Sequence, residues 1–161
     1  MSESTASGAG LVQLIAEAKQ AGDPVRIAEL IPYARWMGLS LRHVAGELLG
    51  LLTYSDMLIG NAALPALHGG TIGALLESTA IFQLLWDAET VVLPKTIDIT
   101  VDYLRSGRPV DCWAKAIITR QGRRVANVRV EAWQEDRQRP IALAHGHFLI
   151  VPGQDGEPPA G

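Results

Sequence analysis

One acid stands alone in a long apolar run. Between Gly69 and Trp86 the only charged side chain is Glu77, surrounded by Leu, Ile, Ala and Phe. A carboxylate among such neighbours is costly unless it is paired, hydrogen-bonded or protonated, so its presence asks for a chemical reason. At about 100° per residue, Gly70, Gly73, Glu77, Ile81 and Leu84 share one side of a helix, and the glycines leave bare backbone there for a ligand or a second helix. The amides of Gly69 and Gly70 stand at the helix start, where unpaired N–H groups and the dipole favour an anion or a polarised carbonyl oxygen. A donor at Gly69 and an acid at Glu77 are about 12 Å apart along a helix, too far to touch one reacting carbonyl. Two copies with their helices antiparallel would bring the start of one near the acid of the other, making two equivalent sites.

The helix that must position these groups runs from Leu67 to Trp86 and is apolar almost all the way round, the pattern of a helix wrapped by other structure. Glu77 is therefore expected to be buried or nearly so. A length of 161 residues fits one domain. With 48% hydrophobic residues, 19% charged and a net charge of −3, the chain reads as an ordinary globular protein. Nothing points to nucleic acid, because acids at Asp111 and Glu131 flank the densest arginine cluster, Arg120, Arg123, Arg124 and Arg129. A membrane span is not expected, since Glu77 and Gln83 interrupt the longest apolar run. The opening MSESTASGAG lacks a basic-then-apolar signal, and a single cysteine, Cys112, excludes an internal disulfide; both fit a cytoplasmic location. Cys112 alternates with Val110 and Ala114 and reads as a core-facing strand residue.

Residues 1–10 are small and polar and are expected to be disordered. A helix follows through Leu11, Leu14, Ile15 and Ala18 to Gly22, then a second from Asp23-Pro24 through Ile31; together they form an accessory extension over residues 11–34. From Met37 the apolar period becomes two, giving a strand, a turn at Ala45-Gly46 and a second strand from Glu47 to Tyr54. Residues 56–66 read as a loop. After the helix, Ile97, Ile99, Val101 and Tyr103 take one face of a strand and Thr96, Asp98, Thr100 and Asp102 the other. Strands 110–119, 125–133 and 141–151 follow through short turns, as a meander that must curl around the helix. The tail from Pro152 is rich in Pro and Gly and is expected to be flexible.

Several motifs fall in one order: YARWMGLSL, HGG, an acid eight residues after the first glycine, KTIDITVDYLRSGRPVD, GRRVANVRVEAW and IALAHGHFLI. Over residues 32–151 the chain resembles the hotdog-fold acyl-CoA thioesterases of the PaaI-like type. The resemblance implies an α+β hotdog fold, with a curved antiparallel sheet around one central helix. The single domain of residues 11–151, extension included, is read from chain length and not from the resemblance, which also implies homodimers that can pair into tetramers, and hydrolysis of an acyl-CoA without metal or redox cofactor. Carried over residue by residue, the Gly69 amide looks like the donor that polarises the thioester carbonyl. Glu77, from the partner subunit, resembles the catalytic acid, acting as nucleophile or as base on water. Asn61 looks like the loop residue that holds the thioester or the water, though it stands seven residues before His68 where six are expected. His68 resembles the histidine that shapes the turn. Chemistry agrees, because thioester hydrolysis needs a donor where oxyanion charge develops and a group that attacks or deprotonates water.

Other residues keep two readings each. Arg120, Arg123 and Arg124 flank a turn and either meet CoA phosphates at the dimer edge or form a solvated hairpin tip. Phe82 and Trp86 either line the acyl pocket or pack the core. His145 and His147 share a strand face but lack a third metal ligand, and Ser78 and Thr79 lack an adjacent histidine for a serine-hydrolase triad. A non-catalytic acyl-CoA-binding protein and a hotdog dehydratase or hydratase are the alternative functions.

Overall fold

A computed structural model describes residues 8–89 and 91–151. Most of the expected disordered start and the whole expected tail lie outside the described residues, but Gly8 already begins a helix, so residues 8–10 are ordered. Three helices open the chain: α1 (Gly8–Gln20), α2 (Pro24–Glu29) and α3 (Pro32–Met37). The sequence reading expects two, with Met37 starting a strand. Pro32 at the first turn and Gly38 in a left-handed cap (φ 76°) bracket the third, which at six residues is too short to show a periodicity. The extension is not a separate layer: Ile15, Ile27, Ala34 and Met37 are buried in the same cluster as the central helix.

Strands β1 (Leu39–Val44) and β2 (Glu47–Leu52) form a hairpin whose two turn residues, Ala45 (φ 50°) and Gly46 (φ 81°), both take the positive φ that such a turn demands. Where a loop is expected, a 3-10 turn (Asp56–Leu58) leads into a small hairpin of β3 (Ile59–Asn61) and β4 (Ala66–Leu67). Helix α4 (Gly69–Asp87) follows, then β5 (Lys95–Tyr103), β6 (Cys112–Gln121), β7 (Val125–Trp133) and β8 (Ala142–Leu149).

The large sheet is antiparallel in the order β1-β2-β6-β7-β8-β5. This corrects the expected meander: β5 pairs with β8, β6 pairs with β2, and residues 104–111 cross the sheet end between them. Turn residues such as Ser106 and Pro109 announce a reversal but not which strands become neighbours. β5 is an edge strand, with no strand on its outer side among the described residues.

The sheet wraps α4 because its inner face is small. Ala114, Ala116, Ala126, Ala132, Ala142 and Ala144 are all buried, which lets Ile72, Leu75, Leu76 and Phe82 of the helix sit close. Each such side chain taken from water contributes about 1.5–3 kcal/mol. At Gly50 the approach is closest: a Cβ there would lie 2.2 Å from Thr79 Oγ1. No helix among the described residues is long and apolar enough to cross a membrane.

Candidate active site

The start of α4 is built around His68. Its backbone is extended, so it caps the helix, and its Nδ1 accepts the Gly70 N–H at 2.8 Å. Accepting there places the proton of the neutral ring on Nε2. The His68 N–H donates to Leu58 O (2.8 Å), its carbonyl accepts the Thr71 N–H (3.0 Å), and the Leu67 N–H donates to Gly107 O (2.9 Å). Gly60 makes room for this: a Cβ there would meet His68 Cα at 2.7 Å. Of the two glycine amides expected to stand open, Gly70's is therefore occupied. Gly69's has no acceptor among the described residues.

The bare glycine stripe already has one close neighbour, and it belongs to the same chain. Tyr103, at the end of β5, donates its hydroxyl to Gly69 O (2.7 Å), and a Cβ at Gly73 would lie 3.3 Å from that hydroxyl. Sequence reasoning places Tyr103 on the right strand face, but nothing linear connects positions 69 and 103.

Glu77 lies two turns into α4 and is half-buried rather than buried. Its Oε1 accepts the Thr96 hydroxyl at 2.6 Å. Strict alternation places Thr96 on the opposite face of its strand. A register shift between Thr96 and Asp98 corrects this: the extra residue, Ile97, is 55% exposed, and Thr96 is turned onto the helix. Thus β5 lies over both groups, its start at Glu77 and its end at Gly69. Because α4 is continuous from Gly69 to Asp87, the separation of about 12 Å holds within one chain.

Asn61 is exposed in the hairpin that feeds the helix start. Its Oδ1 accepts the N–H groups of Ala63 (3.0 Å) and Leu64 (3.1 Å), so that oxygen shapes the turn. A register shift between Ile59 and Asn61 marks the irregularity next to it.

Residues 64–141 match the thioesterase superfamily. The chain is 33% identical over 134 residues to the medium/long-chain acyl-CoA thioesterase YigI of Salmonella typhimurium, covering 74% of this chain and 86% of that protein. This chain belongs to the thioesterase superfamily. The same relative from Escherichia coli K12 is 32% identical over the same length. A crystal structure of a Chromobacterium violaceum protein is 39% identical with a TM-score of 0.71, covering 86% of this chain and 97% of that one. The PaaI protein of the Escherichia coli phenylacetic acid degradation operon, at 19% identity and a TM-score of 0.69 over 89% of this chain and 97% of its own, shares the fold. The hotdog architecture and a thioester-hydrolysing enzyme, both expected from the motifs, are thereby established.

In this thioesterase the remaining candidates scatter. Phe82 is 2% exposed inside the core. Trp86 is half-buried and edge-on to His43, with ring centroids 5.1 Å apart. Arg120, Arg123 and Arg124 are exposed at the β6–β7 turn. The Ile150 N–H donates to Arg124 O, and Lys95 and Val125 both pair with Leu149, so these arginines share the sheet end where β5 begins, away from Gly69. His147 Nδ1 sits 2.8 Å from Asp98 Oδ1, and no group of three His, Cys, Asp or Glu among the described residues is placed to hold a metal.

Cys112 is no nucleophile. Burial pushes its thiol up to about 11, only partly opposed by a hydrogen bond from Gln134, so it stays protonated through neutral pH. Iodoacetamide at about pH 8 is expected to leave it unmodified in the folded protein and to label it after unfolding, as read by mass spectrometry.

Proposed function

We propose that this thioesterase hydrolyses acyl-CoA thioesters, of medium or long chain by analogy with its relatives, at a site completed by two protomers. Gly69 of one chain supplies the oxyanion donor and Glu77 of the other supplies the acid. The observation that carries this is the pairing of an unoccupied Gly69 amide with a half-buried, oriented Glu77 on one continuous helix, separated so that neither can serve the other within a chain.

Two features favour a second copy as the missing half. The outer edge of β5 has unpaired backbone groups, which another β5 running head to tail would satisfy. On α4, Gly70, Gly73, Ala74, Glu77, Ser78 and Ile81 remain partly or fully exposed, a mostly small-residue face suited to close approach of another helix. In such a pairing the start of the partner's β5 lies beside the end of this one, so the partner's Glu77 and its Arg120, Arg123 and Arg124 turn come toward Gly69. Asn61 and His68 then flank the thioester from the Gly69 side.

The carbonyl oxygen accepts from the Gly69 N–H, and the positive end of α4 favours the charge that develops on it. Thr96 holds Oε1 of Glu77, leaving Oε2 to take a proton from water or to attack the carbonyl carbon. If it acts as base, the water oxygen adds to the carbonyl carbon, the C–S bond breaks, and the thiol leaves with the proton that Glu77 took; if it attacks, breaking the C–S bond leaves an acyl–Glu77 anhydride, which water then hydrolyses to the carboxylic acid and the free carboxylate, its second proton going to the departing thiolate.

Thiol release from a panel of acyl-CoAs tests this directly. Binding without release would leave an acyl-CoA-binding protein, and double-bond formation from a 3-hydroxyacyl-CoA would make it a dehydratase. Thr96→Val is expected to lower kcat roughly ten- to a hundredfold with KM little changed, the size of a lost hydrogen bond to a charged group, while Thr96→Ser restores it. Steady-state kinetics on the three proteins would check this.

A further inference from the structure

The Gly69 N–H belongs to the peptide group whose other end is the His68 carbonyl, and that carbonyl carries three donors. It accepts the Thr71 N–H (3.0 Å), the Ile72 N–H (3.4 Å) and the Thr71 hydroxyl, at 2.7 Å. The first two belong to the helix backbone and do not depend on the side chains. The third, and shortest, comes from a side chain that Gly69, Glu77 and the turn around His68 do not otherwise need. Resting on the reading of Gly69 as the oxyanion donor, we propose that Thr71 is a positioning residue, whose hydroxyl strengthens and aims that donor by binding the far end of its peptide group.

A donor on a carbonyl oxygen draws electrons through the C–N bond and leaves the N–H of the same peptide more positive, so bonds in a chain reinforce one another by about 10–30% each. Here the chain runs from the Thr71 hydroxyl through the His68 carbonyl and the Gly69 N–H to the thioester oxygen. The gain grows with the charge on that oxygen, so it is larger in the transition state than with bound substrate. Thr71 lies in the first turn of α4, and turning the 68–69 peptide would break its bond to the capping residue, so the direction of the Gly69 N–H is fixed as well.

The next peptide group makes the contrast. Its carbonyl, Gly69 O, also carries a side-chain hydroxyl, that of Tyr103 (2.7 Å), but its N–H, that of Gly70, is spent on His68 Nδ1 (2.8 Å). Of the two peptide groups that meet at Gly69, only the one that Thr71 loads has an N–H without an acceptor among the described residues. A threonine in the first turn of a helix can bond the carbonyl three residues back for local structure alone, so a test must read the substrate carbonyl itself.

Removing a whole oxyanion donor costs about 10²- to 10³-fold, so losing about 10–30% of its strength in Thr71→Val is expected to lower kcat about two- to eightfold with KM little changed, and Thr71→Ser to restore it. The second readout is the carbonyl stretch of an acyl-CoA ketone analogue, isotope-labelled at the carbonyl, in which a methylene replaces the sulfur so that nothing is cleaved. Infrared difference spectra are expected to show the stretch lowered on binding to the unaltered protein and to Thr71→Ser, about 10–30% of that shift lost in Thr71→Val, and most of it lost in Gly69→Pro. A fall in kcat with the stretch unmoved, or one that serine does not restore, would mean a structural role only and overturn the proposal, as would a Thr71→Val protein equal to the unaltered one in both. If the stretch in Gly69→Pro stays where the unaltered protein puts it, the donor lies elsewhere and the reading of Gly69 itself falls.

Discussion

Glu77→Gln is expected to reduce kcat for thiol release by about 10²- to 10⁴-fold, the range over which a positioned base or nucleophile acts. The substitution isolates the chemistry. A carboxamide has nearly the same shape, and its oxygen can still accept the Thr96 hydroxyl that now holds Oε1. What disappears is the capacity to take a proton or to attack. Since Glu77 is half-buried and Gln brings no charge into the core, the melting temperature should hold within the few degrees that a conservative surface change allows. Retention of a tenth or more of wild-type kcat with an unchanged fold would show that the acid is not the reacting group.

Gly69→Pro is expected to cost about 10²- to 10³-fold in kcat, because it deletes one oxyanion donor and little else. Proline is tolerated at the first position of a helix, and the residue before it must be extended. His68 already is, at φ −64° and ψ 131°. Gly69→Ala is the control: it brings the same Cβ against the Tyr103 ring, 3.3 Å from Cζ, but keeps the N–H. Mixing then decides where the two halves of the site reside. Glu77→Gln and Gly69→Pro subunits, each inactive alone, should recover about a quarter of wild-type activity after random reassociation, since half the dimers are mixed and each has one intact site. Zero recovery, with mixed dimers demonstrated by mass, would place donor and acid in a single chain.

Much of this was legible in the sequence because it is local. Helix α4 announces itself by an unbroken apolar run with one acid, and its observed start at Gly69 lies where the His-Gly-Gly turn put it. The strand read over 125–133 coincides with β7, where apolar and polar residues alternate from Ala126 to Ala132 and turn residues bracket both ends. What escaped depends on distant partners. Thr96 meets Glu77 across 19 positions, and a one-residue bulge at Ile97, which leaves no compositional mark, decides that it does. Tyr103 meets Gly69 across 34 positions, through the choice of β8 rather than β6 as the neighbour of β5. Residue type alone makes Gly70 a second open donor, whereas cap geometry, which the sequence does not reveal, puts a histidine nitrogen on it.

The three leading helices share one apolar interior with the wrapped helix, Ile15 and Ile27 being as fully enclosed as Leu75 and Leu76. Trimming the chain to its sheet and inner helix would uncover a greasy flank instead of releasing a minimal enzyme, and heating should melt the leading helices and the wrapped body in a single cooperative step.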